Sequence, residues 1–257
     1  MGEGPKPLFF VSLVYGVIRG QWQTRSARIK GLRTCPTGLP MEENMSAQSH
    51  PVAINTAVFD LGNVLIRWNP RNLYKKLFGD DVEAMETFLA EVCHTAWNEQ
   101  QDQGRTWQEA TAEAIARHPD QEPLIRAYRE RWEEMLGGAI EDTVAILDEL
   151  HANGIRLLAL TNWSAETFPI ALERFEFLQR FEGILVSGAE GVIKPSPEIF
   201  QLLASRYDVD CRRAVFIDDH RPNIDGAQRE GFHAVQFFSA AQLREDLVAL
   251  GLPVQAG

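Results

Sequence analysis

Two adjacent aspartates, Asp218 and Asp219, close the apolar run Ala214-Val215-Phe216-Ile217, and a third, Asp60, closes Thr56-Ala57-Val58-Phe59 about 160 residues earlier. Runs of this length, rich in Val, Ile and Phe, read as buried parallel strands. Carboxylates at the C-terminal ends of such strands stand in the crevice where open α/β sheets bind ligands. Three carboxylates gathered there repel one another unless something positive lies between them, and Mg²⁺, a hard cation that prefers oxygen ligands, is the expected answer.

Further candidates lie between these aspartates. Thr161-Asn162 ends the run Ile155-Arg156-Leu157-Leu158-Ala159-Leu160. A hydroxyl with backbone N–H groups at a helix entrance suits a phosphate or carboxylate, although the same residues also read as an ordinary helix entry. Lys194-Pro195 follows Gly191-Val192-Ile193 and precedes Ser196-Pro197. Its ammonium can offset the carboxylates and bind transferring oxygens, or simply be solvated. Asp60 can act as a nucleophile that forms a covalent intermediate, while a strand-ending Asp in a turn is also commonplace. Gly62 lets the chain bend and present its carbonyl to a metal. What makes the set specific is its order along the chain: Asp, Thr, Lys-Pro, Asp-Asp.

The elements that must position these residues alternate strand and helix from Thr56 onward. Strands are expected at Thr56 to Asp60, Ile155 to Thr161, Gly183 to Ser187, Ala214 to Asp218 and Ala234 to Phe238. Helices are expected at Glu141 to Ala152, closed by Asn153-Gly154, at Pro197 to Tyr207 and at Asn223 to Glu230. Ser164 is expected to cap one more helix, and Ser239 the last, which runs through Leu250. Strands separated by helices imply a parallel sheet covered on both faces. Residues 70 to 138 show no strand pattern. They read as helices opened by Asn69-Pro70 and continued over Asp81 to Cys93, Thr106 to Arg117 and Gln121 to Leu136, punctuated by Gly104, His118-Pro119 and Gly137-Gly138. The expected fold is α/β: a Rossmann-like parallel core from 53–67 and 143–257, with an inserted α-helical cap at 68–142.

Bulk composition narrows the function. The chain has 257 residues, is 45% hydrophobic and 24% charged, and carries a net charge of −11. That balance excludes non-specific nucleic-acid binding, which needs a basic face. Cys35, Cys93 and Cys211 are scattered, with no CxxC or zinc spacing, so a reducing compartment, the cytoplasm, is expected. The first 40 residues hold six basic and one acidic residue, and Leu8 to Ile18 is an apolar run of 11. That run is short for a bilayer span, and no stable membrane partner is expected. Residues 1–52 read as an extension outside the fold, with Met41 and Met45 as alternative starts and a targeting segment as the competing reading.

From Ala53 to Leu250 the sequence resembles the haloacid dehalogenase-like (HAD) hydrolase superfamily. FDLGNVL is similar to its first motif, LTN to its second, KP to its third and FIDDHRPNIDGA to its fourth. The helical block after the first strand is similar to a type-1 α-helical cap. The resemblance implies Asp60 as nucleophile, Thr161 as a ligand of the transferred group and Lys194 as charge stabiliser. Asp219 would be a Mg²⁺ ligand supported by Asp218, with the Gly62 carbonyl completing the protein's share. Phosphatases of the superfamily mostly carry an Asp two positions after the nucleophile as general acid/base. Here that position is Gly62, so leaving-group protonation must come from water, Asp218 or a cap residue. Some sugar-phosphate phosphatases of the superfamily share the LGNV-type motif.

The implied activity is Mg²⁺-dependent hydrolysis of a small phosphorylated metabolite, a sugar phosphate among the candidates, through an aspartyl phosphate. Two alternatives stand beside it: a metal-independent 2-haloacid dehalogenase, with Arg67 available to hold a carboxylate, and a non-catalytic module that binds phosphorylated ligands. Trp97, Trp107, Trp132, His94, Tyr128 and Arg131 either line a specificity pocket or pack the cap core, and His220 is a candidate proton shuttle.

Overall fold

A computed structural model of the chain describes residues 53–255. Its strands are β1 (Thr56–Phe59), β2 (Ile66–Trp68), β3 (Leu136–Ala139), β4 (Arg156–Thr161), β5 (Gly183–Val186), β6 (Ala214–Asp218) and β7 (His233–Gln236). Its α-helices are α1 (Arg71–Phe78), α2 (Val82–Glu91), α3 (Thr95–Asp102), α4 (Trp107–Arg117), α5 (Glu122–Glu130), α6 (Glu141–Ala152), α7 (Phe168–Arg174), α8 (Ser187–Glu190), α9 (Pro197–Tyr207), α10 (Arg221–Arg229) and α11 (Ala240–Ala249). The expectations for the leading segment, including Leu8 to Ile18, Cys35, Met41 and Met45, lie outside the described residues. No helix among the described residues is long and apolar enough to cross a membrane.

Five strands form a parallel sheet in the order β5-β4-β1-β6-β7. Side chains alternate across it, as strand geometry requires. Ala57, Phe59, Leu157, Ala159, Val215 and Ile217 enter one core cluster, and Val58, Leu158, Leu160 and Phe216 enter the other. Both faces are therefore covered, which is why these strands read as unbroken apolar runs rather than as alternating ones. The chain leaves β1 for β4 and β5 on one side, then crosses to β6 and β7 on the other. The order reverses at β1, and the carboxyl ends of β4, β1 and β6 face the resulting crevice.

Helices α1 to α5 all fall between β1 and β4, bracketed by the antiparallel pair β2 and β3. Their apolar side chains, Tyr74, Met85, Trp97, Trp107 and Tyr128 among them, belong to the same continuous cluster as one face of the sheet. Ser239 caps the last helix as expected, accepting from Gln242 N–H; Asp81 likewise accepts from Ala84 N–H, and Thr106 forms a capping box with Glu109.

Five readings differ from expectation. The stretch 70–138 is not free of strand, because Leu136–Ala139 pairs with Ile66–Trp68. Gly137-Gly138, read as punctuation, lies inside that strand: a Cβ at Gly137 would stand 2.9 Å from the Arg67 Cβ, so only glycine permits this pairing distance. The helix expected over Gln121 to Leu136 ends at Glu130 and gives way to a 3-10 turn, Trp132–Met135. A helix at Thr95–Asp102 was not foreseen; the His94 ring caps it by accepting from Trp97 N–H at 3.1 Å. Ser164 does not cap α7, which starts at Phe168. Its hydroxyl instead accepts from Glu166 N–H at 3.3 Å and from the Trp107 indole at 3.0 Å.

Candidate active site

The register of the sheet places the acidic residues. Phe59 lies opposite Ile217 in the β1–β6 pair, and Asp60 N–H donates to the Ile217 carbonyl at 2.8 Å, so Asp60 and Asp218 end neighbouring strands. Oxygens of Asp60, Asp218 and Asp219 all lie within 4.8 Å of one another. On the other side of β1, Phe59 pairs with Ala159, which brings Thr161, 1% exposed, to the same edge.

Lys194 ties the cluster together. It is 2% exposed, and its Nζ reaches Asp60 Oδ1 at 2.9 Å, Asp218 Oδ2 at 2.7 Å and the Leu160 carbonyl at 2.9 Å. A cis peptide joins it to Pro195. Asn162 grips the lysine backbone at two points, accepting from Lys194 N–H at 2.9 Å and donating to the Lys194 carbonyl at 3.1 Å. The side-chain amide of Asn162 is thus engaged with Lys194.

Asp218 is wholly buried and saturated. Besides Lys194 it accepts from Asn223 Nδ2 at 3.0 Å on each oxygen and from His220 N–H at 2.8 Å on Oδ1. Asn223 was not singled out from the sequence, although its place five residues after Asp218, on the first turn of a helix that opens with Pro222, puts it within reach. Asp60 Oδ1 also accepts from Leu61 N–H at 2.7 Å. The bend after Asp60 differs from expectation: the left-handed residue is Asn63, φ 54°, rather than Gly62. Asn tolerates this region better than most residues, and its Oδ1 is fixed by Trp68 N–H at 3.1 Å.

Three carboxylates against one ammonium leave two uncompensated negative charges. Burial pushes the Asp60 carboxyl up to about 7; Lys194 opposes this, while Asp218 and Asp219 add to it. Burial also lifts Asp219, helped by Asp218. For Lys194, burial alone favours the neutral amine, but Asp218 and Asp60 outweigh it, and the net shift is upward. The donor set fits a divalent cation by charge and by size. Oxygens sharing a magnesium ion at ~2.1 Å stand ~3–4 Å apart, and the oxygens here lie within 4.8 Å of one another.

The aromatic residues of the helical insert mostly pack its core. Trp97, Trp107 and Tyr128 are buried against one another, with ring centroids 5.1–5.7 Å apart, and Trp132 packs on Trp163 at 5.4 Å. A cleft of 780 Å³ opens beside Asn63; His94 and Tyr128 contribute to its wall, along with Trp68, Arg71 and Cys93. Arg131 pairs with Glu134, and Arg67 donates to the Ala139 carbonyl across the β2–β3 pair. His220 contributes its backbone N–H, and its side chain is exposed.

A family model described as a haloacid dehalogenase-like hydrolase matches residues 54–231. Among curated proteins, a sesquiterpene phosphatase from Aspergillus oryzae is 25% identical over 180 residues, 68% of this chain and 85% of that protein. Glyceraldehyde 3-phosphate phosphatase from Pyrococcus abyssi is 31% identical over 93 residues, 36% of this chain and 39% of that protein. Acyl-CoA dehydrogenase family member 10 of Mus musculus is 31% identical over 116 residues; the match covers 43% of this chain and only 10% of the mouse protein's length. Among solved structures, an HAD-like family hydrolase from Porphyromonas gingivalis superposes with a TM-score of 0.59 at 20% identity, covering 77% of this chain and 97% of that one. An HAD family enzyme from Bacteroides thetaiotaomicron, in complex with magnesium and inorganic phosphate, gives 0.54 at 24%, covering 72% and 94%. L-2-haloacid dehalogenase from Xanthobacter autotrophicus gives 0.52 at 16%, covering 79% and 85%. At these identities the structural likenesses show the fold.

Proposed function

The chain belongs to the haloacid dehalogenase-like hydrolase family, and on that premise we propose that it is a Mg²⁺-dependent phosphatase acting on a small phosphorylated metabolite. The observation that carries this reading is the trio Asp60, Asp218 and Asp219, with oxygens within 4.8 Å and a single buried lysine among them. A dehalogenase needs one nucleophilic carboxylate and no cation. A site that gathers two negative charges in excess is suited to a dication and an anionic substrate. The dehalogenase likeness does not weigh against this, since phosphatases and dehalogenases share the fold. Two of the curated relatives are named phosphatases, and one structural relative was solved with magnesium and phosphate.

In this reading Asp60 attacks phosphorus, and water later cleaves the aspartyl phosphate. Thr161 holds a phosphoryl oxygen. Lys194 keeps Asp60 oriented and ionised and balances charge on the transferring group. Asp60, Asp219 and the Gly62 carbonyl would hold Mg²⁺, which when bound supplies positive charge to the phosphoryl oxygens. Asp218 joins this set mainly through Lys194 and Asn223, which already occupy its oxygens. The helical insert, 68–142, acts as the cap whose cleft selects the leaving group.

The test is a panel of phosphorylated metabolites and 2-haloacids, each run with Mg²⁺ or EDTA, beside an Asp60→Asn variant. Phosphate release that requires Mg²⁺ and Asp60 is expected. Halide release that persists in EDTA would replace this reading with a dehalogenase.

A further inference from the structure

The turn after Asp60 holds no proton donor. Leu61, Gly62 and Asn63 follow it, and a Cβ built on Gly62 would meet nothing within 4 Å, so the space at that position is open. The other acidic and basic groups of the site are already committed. Asp218 is 0% exposed with both oxygens bonded, Lys194 bridges two carboxylates, and Asp219 stands in the cation set.

One carboxyl arrives from the opposite side. Asp102 is the last residue of α3, half-buried, on the helical insert. Its carboxylate lies beside the Ser164 backbone N–H, in the loop that follows Thr161, and accepts from Asn98 Nδ2 at 3.0 Å. Asn98 in turn accepts from the Tyr128 hydroxyl at 3.3 Å. The Asp102 carbonyl accepts from Ser187 Oγ, which also accepts from Trp163 N–H at 3.0 Å. Beside it Trp107 donates from Nε1 to Ser164 Oγ at 3.0 Å and from its backbone to Glu166 Oε1 at 2.9 Å. Asp102 is thereby locked to the loop at the carboxyl end of β4, one strand from Asp60.

We propose that Asp102 is the general acid and base of the phosphoryl transfer, supplied by the insert in place of the side chain that Gly62 lacks. This rests on the phosphatase reading above. As Asp60 forms its bond to phosphorus, the bond from phosphorus to the leaving oxygen breaks, and that oxygen takes the Asp102 proton and departs as an alcohol. The Asp102 carboxylate then takes a proton from the water that attacks the aspartyl phosphate. The phosphorus–Asp60 bond breaks, inorganic phosphate leaves, and Asp102 is protonated again. Its surroundings suit the role: burial, then Glu99 on its own helix, and Asp60 across the seam, push its carboxyl up to about 7 against the Ser164 N–H. Tyr128 is the remaining titratable group that senses it.

Asp102→Asn removes the transferable proton and keeps one acceptor oxygen, at the cost of one of the two N–H contacts that the carboxylate makes. The test compares kcat/KM for an alkyl phosphate, whose leaving group needs a proton, with 4-nitrophenyl phosphate, whose leaving group does not. General-acid catalysis is typically worth ~10²–10⁴-fold. The alkyl phosphate rate should fall by that factor, and the 4-nitrophenyl phosphate rate by less than about tenfold. The falling limb of the pH–rate profile above neutrality, where a general acid loses its proton, should disappear for the alkyl substrate, while the rising limb that reports ionisation of Asp60 stays; Asp102→Glu should recover more alkyl activity than Asp102→Asn. Because the readout is a ratio within one preparation, partial unfolding cancels. Equal losses on both substrates, or none on either, would overturn the role and leave Asp102 a contact that merely holds the insert in place. A wild-type protein that hydrolyses neither ester, with Mg²⁺ present, would sink the phosphatase reading instead.

Discussion

Lys194→Met is the sharpest perturbation the site offers. Methionine keeps the length and apolar stem of the lysine but removes the ammonium that lies 2.9 Å from Asp60 and 2.7 Å from Asp218. At an effective dielectric near 20, each such pair is worth about 6 kcal/mol before desolvation is subtracted. Removing one partner of a buried pair usually costs ~3–5 kcal/mol, because the other charge is left uncompensated. Asp60 can relieve part of this by taking a proton, since its carboxyl already lies near 7, so the lower end, ~3 kcal/mol, is expected. For a domain of this size, ~2–4 °C per kcal/mol converts that to a Tm lowered by roughly 6–12 °C. The assay is thermal unfolding of both proteins at pH 8, in EDTA and in Mg²⁺. The deficit should be largest in EDTA and shrink in Mg²⁺, because a dication replaces the missing charge. A variant that melts within about 2 °C of wild type in EDTA would show that the ammonium does not hold the carboxylates together.

Other expectations follow from the same geometry. In EDTA, Asp60 should make the apo protein less stable as pH rises from ~4 to 7: its folded-state value of about 7 means the native state binds more protons than the unfolded chain over that window. Urea unfolding at pH 5 and pH 8 reads this, and Asp60→Asn should flatten that component. Asp219→Asn should raise the Mg²⁺ concentration needed for half-maximal stabilisation by at least tenfold while moving the apo Tm little, measured by titrating Mg²⁺ against Tm. Gly188→Ala would place a Cβ 2.6 Å from Ala165 N and 2.7 Å from the Trp163 carbonyl, both backbone atoms. It should therefore destabilise by ~1–3 kcal/mol, and an unchanged denaturation midpoint would refute that close approach.

Much of the core was legible because its signal is local. The runs ending at Asp60, Thr161 and Asp218 are apolar throughout, since their strands are covered on both faces, and each ends where the sheet does. The Ser239 cap was readable for the same reason: the acceptor and the N–H it satisfies lie three residues apart. The insert was harder. Gly137-Gly138 looked like a break because glycine weakens a strand by itself, and only the Arg67 Cβ alongside Gly137 makes it necessary. The α3 helix begins with a histidine cap, an acceptor type that sequence patterns seldom mark.

The primary structure alone determined which groups are chemically capable and in what order they occur: Asp60, Thr161, Lys194, Asp218, Asp219, each at or near the end of a buried run. It also determined that position 62 cannot hold a proton. What each group does was decided by contacts between residues far apart in the chain. Lys194 and Asp218 are 24 positions apart yet share a 2.7 Å ion pair, Asn162 holds the Lys194 backbone from 32 positions away, and Ser187 reaches Asp102 across 85. Local propensity carries no record of such distances, because the β1–β4 and β1–β6 pairings and the docking of the insert create them only when the whole chain is folded.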